Sequence, residues 1–109
     1  MTTNTNTGTV QTWDNWQNIQ DEIGEFTDKT FGQSTVESKI EHLREELDEV
    51  IADPKDELEW ADCLILLLDA ARREGFDMSD LHKAITKKME INRTRKWGSA
   101  DKNGVVKHV

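Results

Sequence analysis

The stretch VESKIEHLREELDEVIADPKDELEWADCLILLLDAARREG, residues 36–75, decides the fold. Val36, Ile40, Leu43, Leu47 and Val50 recur every three or four positions, the spacing of one helix face. Ser34-Thr35-Val36-Glu37 has the form of a capping box, which places a helix start there. Asp53-Pro54 reads as the N-cap and first-turn proline of the next helix, and Gly75 as its stop. The turn between them is short, so the two helices are expected to lie antiparallel and adjacent.

The later of these helices is apolar around most of its circumference. Trp60, Ala61, Leu64, Ile65, Leu67 and Leu68 leave only a narrow polar stripe of Glu59, Asp62, Asp69 and Arg73. Such a helix is expected to be buried on most sides. The rest of a 109-residue chain can hardly cover it, so a second copy is expected to do so.

Two more helices flank this pair. Trp13, Trp16, Ile19, Ile23 and Phe26 mark one that starts after Thr12 and ends before Gly32. Leu81, Ile85 and Met89 mark another, capped by Ser79 and ending near Trp97-Gly98. No strand alternation and no internal repeat is visible. The expected fold is all-α: a four-helix bundle over residues 12–97, completed by homo-oligomerisation as a dimer or tetramer. Residues 1–11 are Thr/Asn-rich and expected to be disordered; residues 98–109 read as a loose tail.

Composition narrows the classes. The hydrophobic share is 35 % and the charged share 33 %, thin for a self-sufficient globule but normal for charged helices that bury one face. The single Cys63 excludes a disulfide framework and a multi-cysteine zinc module, and reads as a core thiol. Cys63 to Leu68, the longest apolar run, is too short to cross a bilayer. With no basic-then-apolar leader, a cytoplasmic setting is expected. A net charge of −8 opposes general affinity for nucleic acid, although Lys87 to Lys107 form a basic arm.

The charge is uneven. Residues 14–62 carry 16 acidic and 4 basic side chains, whereas residues 63–109 carry 6 acidic and 10 basic. Two halves of opposite sign suit a cargo such as metal-bound phosphate, and equally a salt-bridged bundle.

Four carboxylates stand out. Glu46 and Glu49 share a helix face at a spacing of three, and Glu59 and Asp62 repeat it on the neighbouring helix. Counting from Asp53 at about 1.5 Å per residue, all four lie at overlapping heights. Carboxylates gathered beside an apolar helix repel one another, and a divalent cation removes that cost. Oxygen-only ligation selects Mg²⁺ or Mn²⁺. Taken alone, Glu45-Glu46-Leu47-Asp48-Glu49 also fits a solvated helix face; it is the embedded Glu59-x-x-Asp62 that shifts the balance towards a metal site.

The last helix offers the complementary charge. Lys88, Asn92 and Arg95 form one stripe suited to phosphate oxygens, or else an exposed basic end complementing the helix dipole. Trp16, with Trp13 and Trp60, can stack on a base or pack in a core. Asp69 can receive the N–H groups of a guanine edge, or pair with Arg73 one turn on. His42 reads as a surface residue within reach of the metal shell, and Glu45 as a group orienting a ligand from behind.

Glu-Glu-x-x-Glu followed by Glu-x-x-Asp on adjacent helices resembles the MazG-like all-α nucleoside triphosphate pyrophosphohydrolases. The stretches EWADCLILLLDAARREG (residues 59–75) and KMEINRTRKW (residues 88–97) are most similar to their phage dATP/dGTP branch of MazZ type. The resemblance spans roughly Trp13 to Trp97. It implies that Glu46, Glu49, Glu59 and Asp62 are the metal ligands, and that Lys88, Asn92 and Arg95 hold the triphosphate. It further implies cleavage of dGTP or dATP to monophosphate and pyrophosphate, in a phage nucleotide pool. In that reading Glu46 or Glu49 accepts the proton of the attacking water. A helical interaction module, needing only the amphipathic faces, is the alternative.

Overall fold

The computed structural model describes residues 12–109, with side chains from residue 15 onward. It contains four helices: α1 (Thr12–Phe31), α2 (Val36–Ala52), α3 (Glu57–Arg73) and α4 (Met78–Thr94). The all-α reading holds, and the order of elements is as the periodicity predicts. Residues 1–11, expected to be disordered, lie outside the described residues.

The helix ends differ from expectation in instructive ways. Thr35 caps α2 by accepting from the Ser38 N–H at 3.1 Å, rather than Ser34 pairing with Glu37. Asp53 closes α2 instead of opening α3. The cap of α3 is Asp56, which accepts from the Leu58 N–H at 3.0 Å, so Pro54 sits in the turn. Trp60 fastens that turn, its indole N–H donating to the Pro54 carbonyl at 2.9 Å. Asp77, not Ser79, caps α4, because Asp77 and Asp80 each accept from the other's backbone N–H. Gly75 performs its expected role. At φ +99° it lets its own N–H reach the Arg72 carbonyl and that of Phe76 reach Ala71, which closes α3.

α2 and α3 form a closely packed antiparallel hairpin. α1 packs on α3 and on α4, and among the described residues α4 packs on α1 alone. Because α1 and α2 both lean on α3 without touching each other's backbone, a cleft opens between them.

The interior is polar. Among the described residues, Leu68 and Ala70 are the buried apolar side chains, alongside the polar Gln20, Thr27, Lys39 and Asp69. Leu58, Trp60, Leu64, Ile65 and Leu67 of α3 are exposed, so the helix expected to be buried on most sides is largely bare in the single chain. The radius of gyration, 17.0 Å, exceeds the roughly 13 Å of a compact chain of this length.

Residues beyond α4 form more than a loose tail. Lys96 to Gly98 run antiparallel to Lys107 to Val109, joined by Gly98 N–H to Lys107 O and Val109 N–H to Lys96 O, both 2.8 Å. The Trp97 and His108 rings meet edge to face at 6.2 Å, and Asp101 closes the bend by accepting from Asn103 and Val105. Since α4 stops at Thr94, Arg95 lies on extended backbone past the helix, out of phase with Lys88 and Asn92.

Candidate active site

The α2–α3 hairpin brings Glu46, Glu59 and Asp62 together. One carboxylate oxygen from each lies within 4.8 Å of the others. Glu49 is exposed and stands outside this trio, but its charge is felt at Glu59. Partial burial raises the Glu59 carboxyl above its ordinary value, and repulsion from Glu49, Asp56, Asp62 and Glu46 adds to the shift. Burial, with repulsion from Glu46, Asp62 and Glu59, pushes the Cys63 thiol up, which keeps it protonated and a poor nucleophile. His42 adjoins the cluster, with Nε2 at 3.3 Å from Glu46.

Three hard oxygen donors on two rigid helices, repelling one another without a cation, fit Mg²⁺ or Mn²⁺. Four-carboxylate spacing in the sequence thus yields three converging groups and one beside them.

Two of the trio, Glu46 and Asp62, line the edge of the cleft between α1 and α2. This cleft has a volume of about 600 Å³, and its walls are mainly apolar: Ile23, Phe26 and Phe31 from α1, Ile65 and Leu66 from α3. Phe26 and Phe31 meet edge to face at 6.1 Å.

At the other end of the cleft lies a buried ion network. Lys39 Nζ donates to Asp69 Oδ2 at 2.6 Å, and Arg72 Nε donates to Asp69 Oδ1 at 2.9 Å. Arg72 continues to Asp28 on α1 at 2.9 Å. The partners of Asp69 are therefore Lys39 and Arg72, not Arg73. Burial alone would raise the Asp69 carboxyl, but the hydrogen bonds from Lys39, Arg72 and Thr27 outweigh it and hold the group below its ordinary value. Lys39 escaped the sequence reading, although its phase was a signal: it falls on the apolar stripe of α2, between Val36 and Leu43. Gln20 likewise replaces an apolar residue on α1 and donates to the Leu68 and Phe76 carbonyls, both at 3.1 Å.

Lys88, Asn92 and Arg95 are not brought to the trio. They lie on or just beyond α4, which does not pack on α2 or α3. The Asn92 carbonyl accepts from the Trp97 indole at 3.0 Å, and Arg95 Nη1 is 3.5 Å from His108 Nδ1. Trp16 is half-exposed and does not line the cleft; Trp60 is occupied at Pro54. A stacking role for Trp13 falls outside the described side chains.

Comparison with known proteins gives one consistent answer. The family model for dATP/dGTP pyrophosphohydrolase matches residues 19–109. The chain is 46 % identical over 72 residues to a dATP/dGTP diphosphohydrolase of cyanophage S-2L, covering 64 % of this chain and 65 % of that one. It is 44 % identical over 81 residues to the Eaa protein of Salmonella phage P22, covering 74 % of this chain and 26 % of the relative. A dATP/dGTP diphosphohydrolase of Salmonella phage PMBT28 is 37 % identical over 92 residues, which is 84 % of this chain and 30 % of the relative. The match thus spans from about a quarter to two thirds of these relatives' lengths. Among solved structures, a cyanophage S-2L MazG-like pyrophosphohydrolase bound to dGDP and three catalytic Mn²⁺ ions per active site superposes with a TM-score of 0.73. The identity is 37 %, over 84 % of this chain and 94 % of that one.

Proposed function

Because this chain belongs to the dATP/dGTP pyrophosphohydrolase family, we propose that it cleaves dGTP or dATP to the monophosphate and pyrophosphate. The observation that carries the reading is the convergence of Glu46, Glu59 and Asp62 at the edge of an apolar cleft large enough for a nucleoside. These three side chains would hold Mg²⁺ or Mn²⁺, with Glu49 swinging in as a further ligand. When bound, the metal supplies charge neutralisation on the phosphates and activation of water. Glu46 or Glu49 accepts the proton of the water that attacks the α-phosphorus.

α4, which carries Lys88 and Asn92 and ends just before Arg95, does not pack on the helices of the trio in its own chain. We infer that α4 of a second copy supplies these three side chains, offsetting charge on the departing pyrophosphate. Apolar surface left bare on α3 and α4, including Leu58, Leu64, Ile85 and Met89, supports such a homo-oligomer. The phage origin of the relatives favours a role in a phage nucleotide pool, within the host cytoplasm. Among the described residues, no helix is long and apolar enough to cross a membrane.

The test is purified protein with Mg²⁺ or Mn²⁺ and each common nucleotide, scored for pyrophosphate against orthophosphate. Pyrophosphate from dGTP or dATP is expected. No release from any nucleotide, with self-association unchanged in Glu59→Gln, would favour a helical interaction module instead.

A further inference from the structure

We propose that Lys39 and Asp69 read the outer edge of the purine ring, acting as a donor–acceptor pair that accepts guanine and adenine alike. This rests on the nucleotide reading of the cleft given above. Both residues line the cleft, yet both are more than nine-tenths buried, an unusual place for a lysine and an aspartate. One N–H of Lys39 goes to Asp69, which leaves two donors on the ammonium. Asp69 accepts from Lys39 on Oδ2 and from Arg72 on Oδ1, with a further bond from the Thr27 hydroxyl, so one of its four lone-pair sites remains free. A donor and an acceptor thus stand side by side at the end of an apolar slot.

Guanine presents an acceptor, O6, next to a donor, N1–H. Adenine presents a donor, N6–H, next to an acceptor, N1. A lysine beside an aspartate satisfies either pair: Lys39 takes O6 and Asp69 takes N1–H of guanine, or, with the base turned over, Lys39 takes N1 and Asp69 takes N6–H of adenine. Pyrimidines carry the same two patterns, so the pair alone would not reject them. Distance does. Lys39 faces Asp69 and Glu46 faces Asp62, two rungs of one antiparallel ladder set seven positions apart on each helix. That is two turns, about 10 Å of rise. The separation matches the reach of a purine nucleoside from its 5′-phosphate to its outer edge. A pyrimidine anchored at the same phosphate falls short by the width of the five-membered ring. Phe26, Phe31 and Ile65 supply apolar walls for the intervening rings.

The experiment uses the full chain with Mg²⁺. Calorimetry compares dGDP and dADP with 2′-deoxynebularine diphosphate, a purine bearing no 6-substituent, and with dCDP. Affinity is expected to be similar for the first two and at least about tenfold weaker for the others, as for loss of a hydrogen bond to a charged group. Equal affinity for the nebularine analogue overturns the proposal, whatever the variants do. Lys39→Met, in which Asp69 keeps Arg72, is expected to weaken dGDP and dADP at least about tenfold while binding inorganic tripolyphosphate as the wild type does. A matching loss for tripolyphosphate would place Lys39 on phosphate and sink the assignment. Pyrophosphate release from dGTP is scored separately. If release fails while the base-edge preference persists, the proposed activity falls and this inference stands; if release occurs without the preference, the reverse holds.

Discussion

Arg72 reaches from α3 across to α1 and lies so close over Gly24 that a Cβ there would stand 2.4 Å from its Nε. The guanidinium cannot simply step aside, because it is held by Asp69 at 2.9 Å and by Asp28 at 2.9 Å. Gly24→Ala is therefore expected to destabilise the fold by about 1–3 kcal/mol, the usual range for overpacking. Thermal or urea unfolding of the variant checks this, and wild-type stability would refute it.

The carboxylates should separate into two classes. Asp62→Asn and Glu59→Gln remove members of the converging trio, and each is expected to weaken Mn²⁺ binding and lower turnover at least about a hundredfold. Glu49→Gln, outside the trio, should lower turnover while leaving the tightest Mn²⁺ site largely intact. Mn²⁺ titration followed by electron paramagnetic resonance, beside a pyrophosphate assay, distinguishes the two.

Acid should expose the contribution of Asp69. Its carboxyl is depressed in the folded state, so its stabilising effect is complete above the unfolded value of about 4 and is lost as pH falls through the lower folded value. Near pH 7, Asp69→Asn leaves Lys39 without its carboxylate and is expected to cost on the order of 3 kcal/mol. Urea unfolding between pH 7 and pH 2.5 should show the gap between wild type and variant narrowing below pH 4. A gap that widens there would contradict the assignment.

Complementation tests whether α4 acts across copies. Lys88→Ala and Asp62→Asn are each expected to be nearly inactive. If a site joins the trio of one copy to the α4 of another, an equimolar mixture of the two variants regains activity. For a dimer, half the molecules are mixed and each holds one intact site, giving roughly a quarter of wild-type turnover. No recovery after subunit exchange would show that the stripe acts within its own chain or not at all.

The helices and the acidic cluster were legible in the sequence for one shared reason: both are written in local spacing. Glu46 and the Glu59–Asp62 pair meet because a short turn and a rise per residue fix their heights. Caps were less legible, since Asp53, Asp56, Asp77 and Ser79 all qualify chemically. Reciprocal bonding between Asp77 and Asp80, and the two separate roles of Asp53 and Asp56, were settled only by tertiary placement. Lys39 was overlooked because lysines on amphipathic helices are usually solvated; the clue was its phase, seven residues before Glu46 on the same face. The position of α4 relative to the trio was not readable at all, because no local rule says whether two helices of one chain or of two chains meet.

The three converging carboxylates belong wholly to the α2–α3 hairpin, whereas one wall of the cleft is α1. α1 is pinned to α3 and the loop beyond it by Gln20, to α3 by the Arg72–Asp28 pair, and to the start of α4 by Gln17, which accepts from the Met78 N–H at 2.7 Å. None of those pins bonds directly to α2, so a displacement of α1 would change the width of the cleft without altering the register of the α2–α3 hairpin. The wall that shapes the chamber and the hairpin that carries the carboxylates are thus separate parts of the fold.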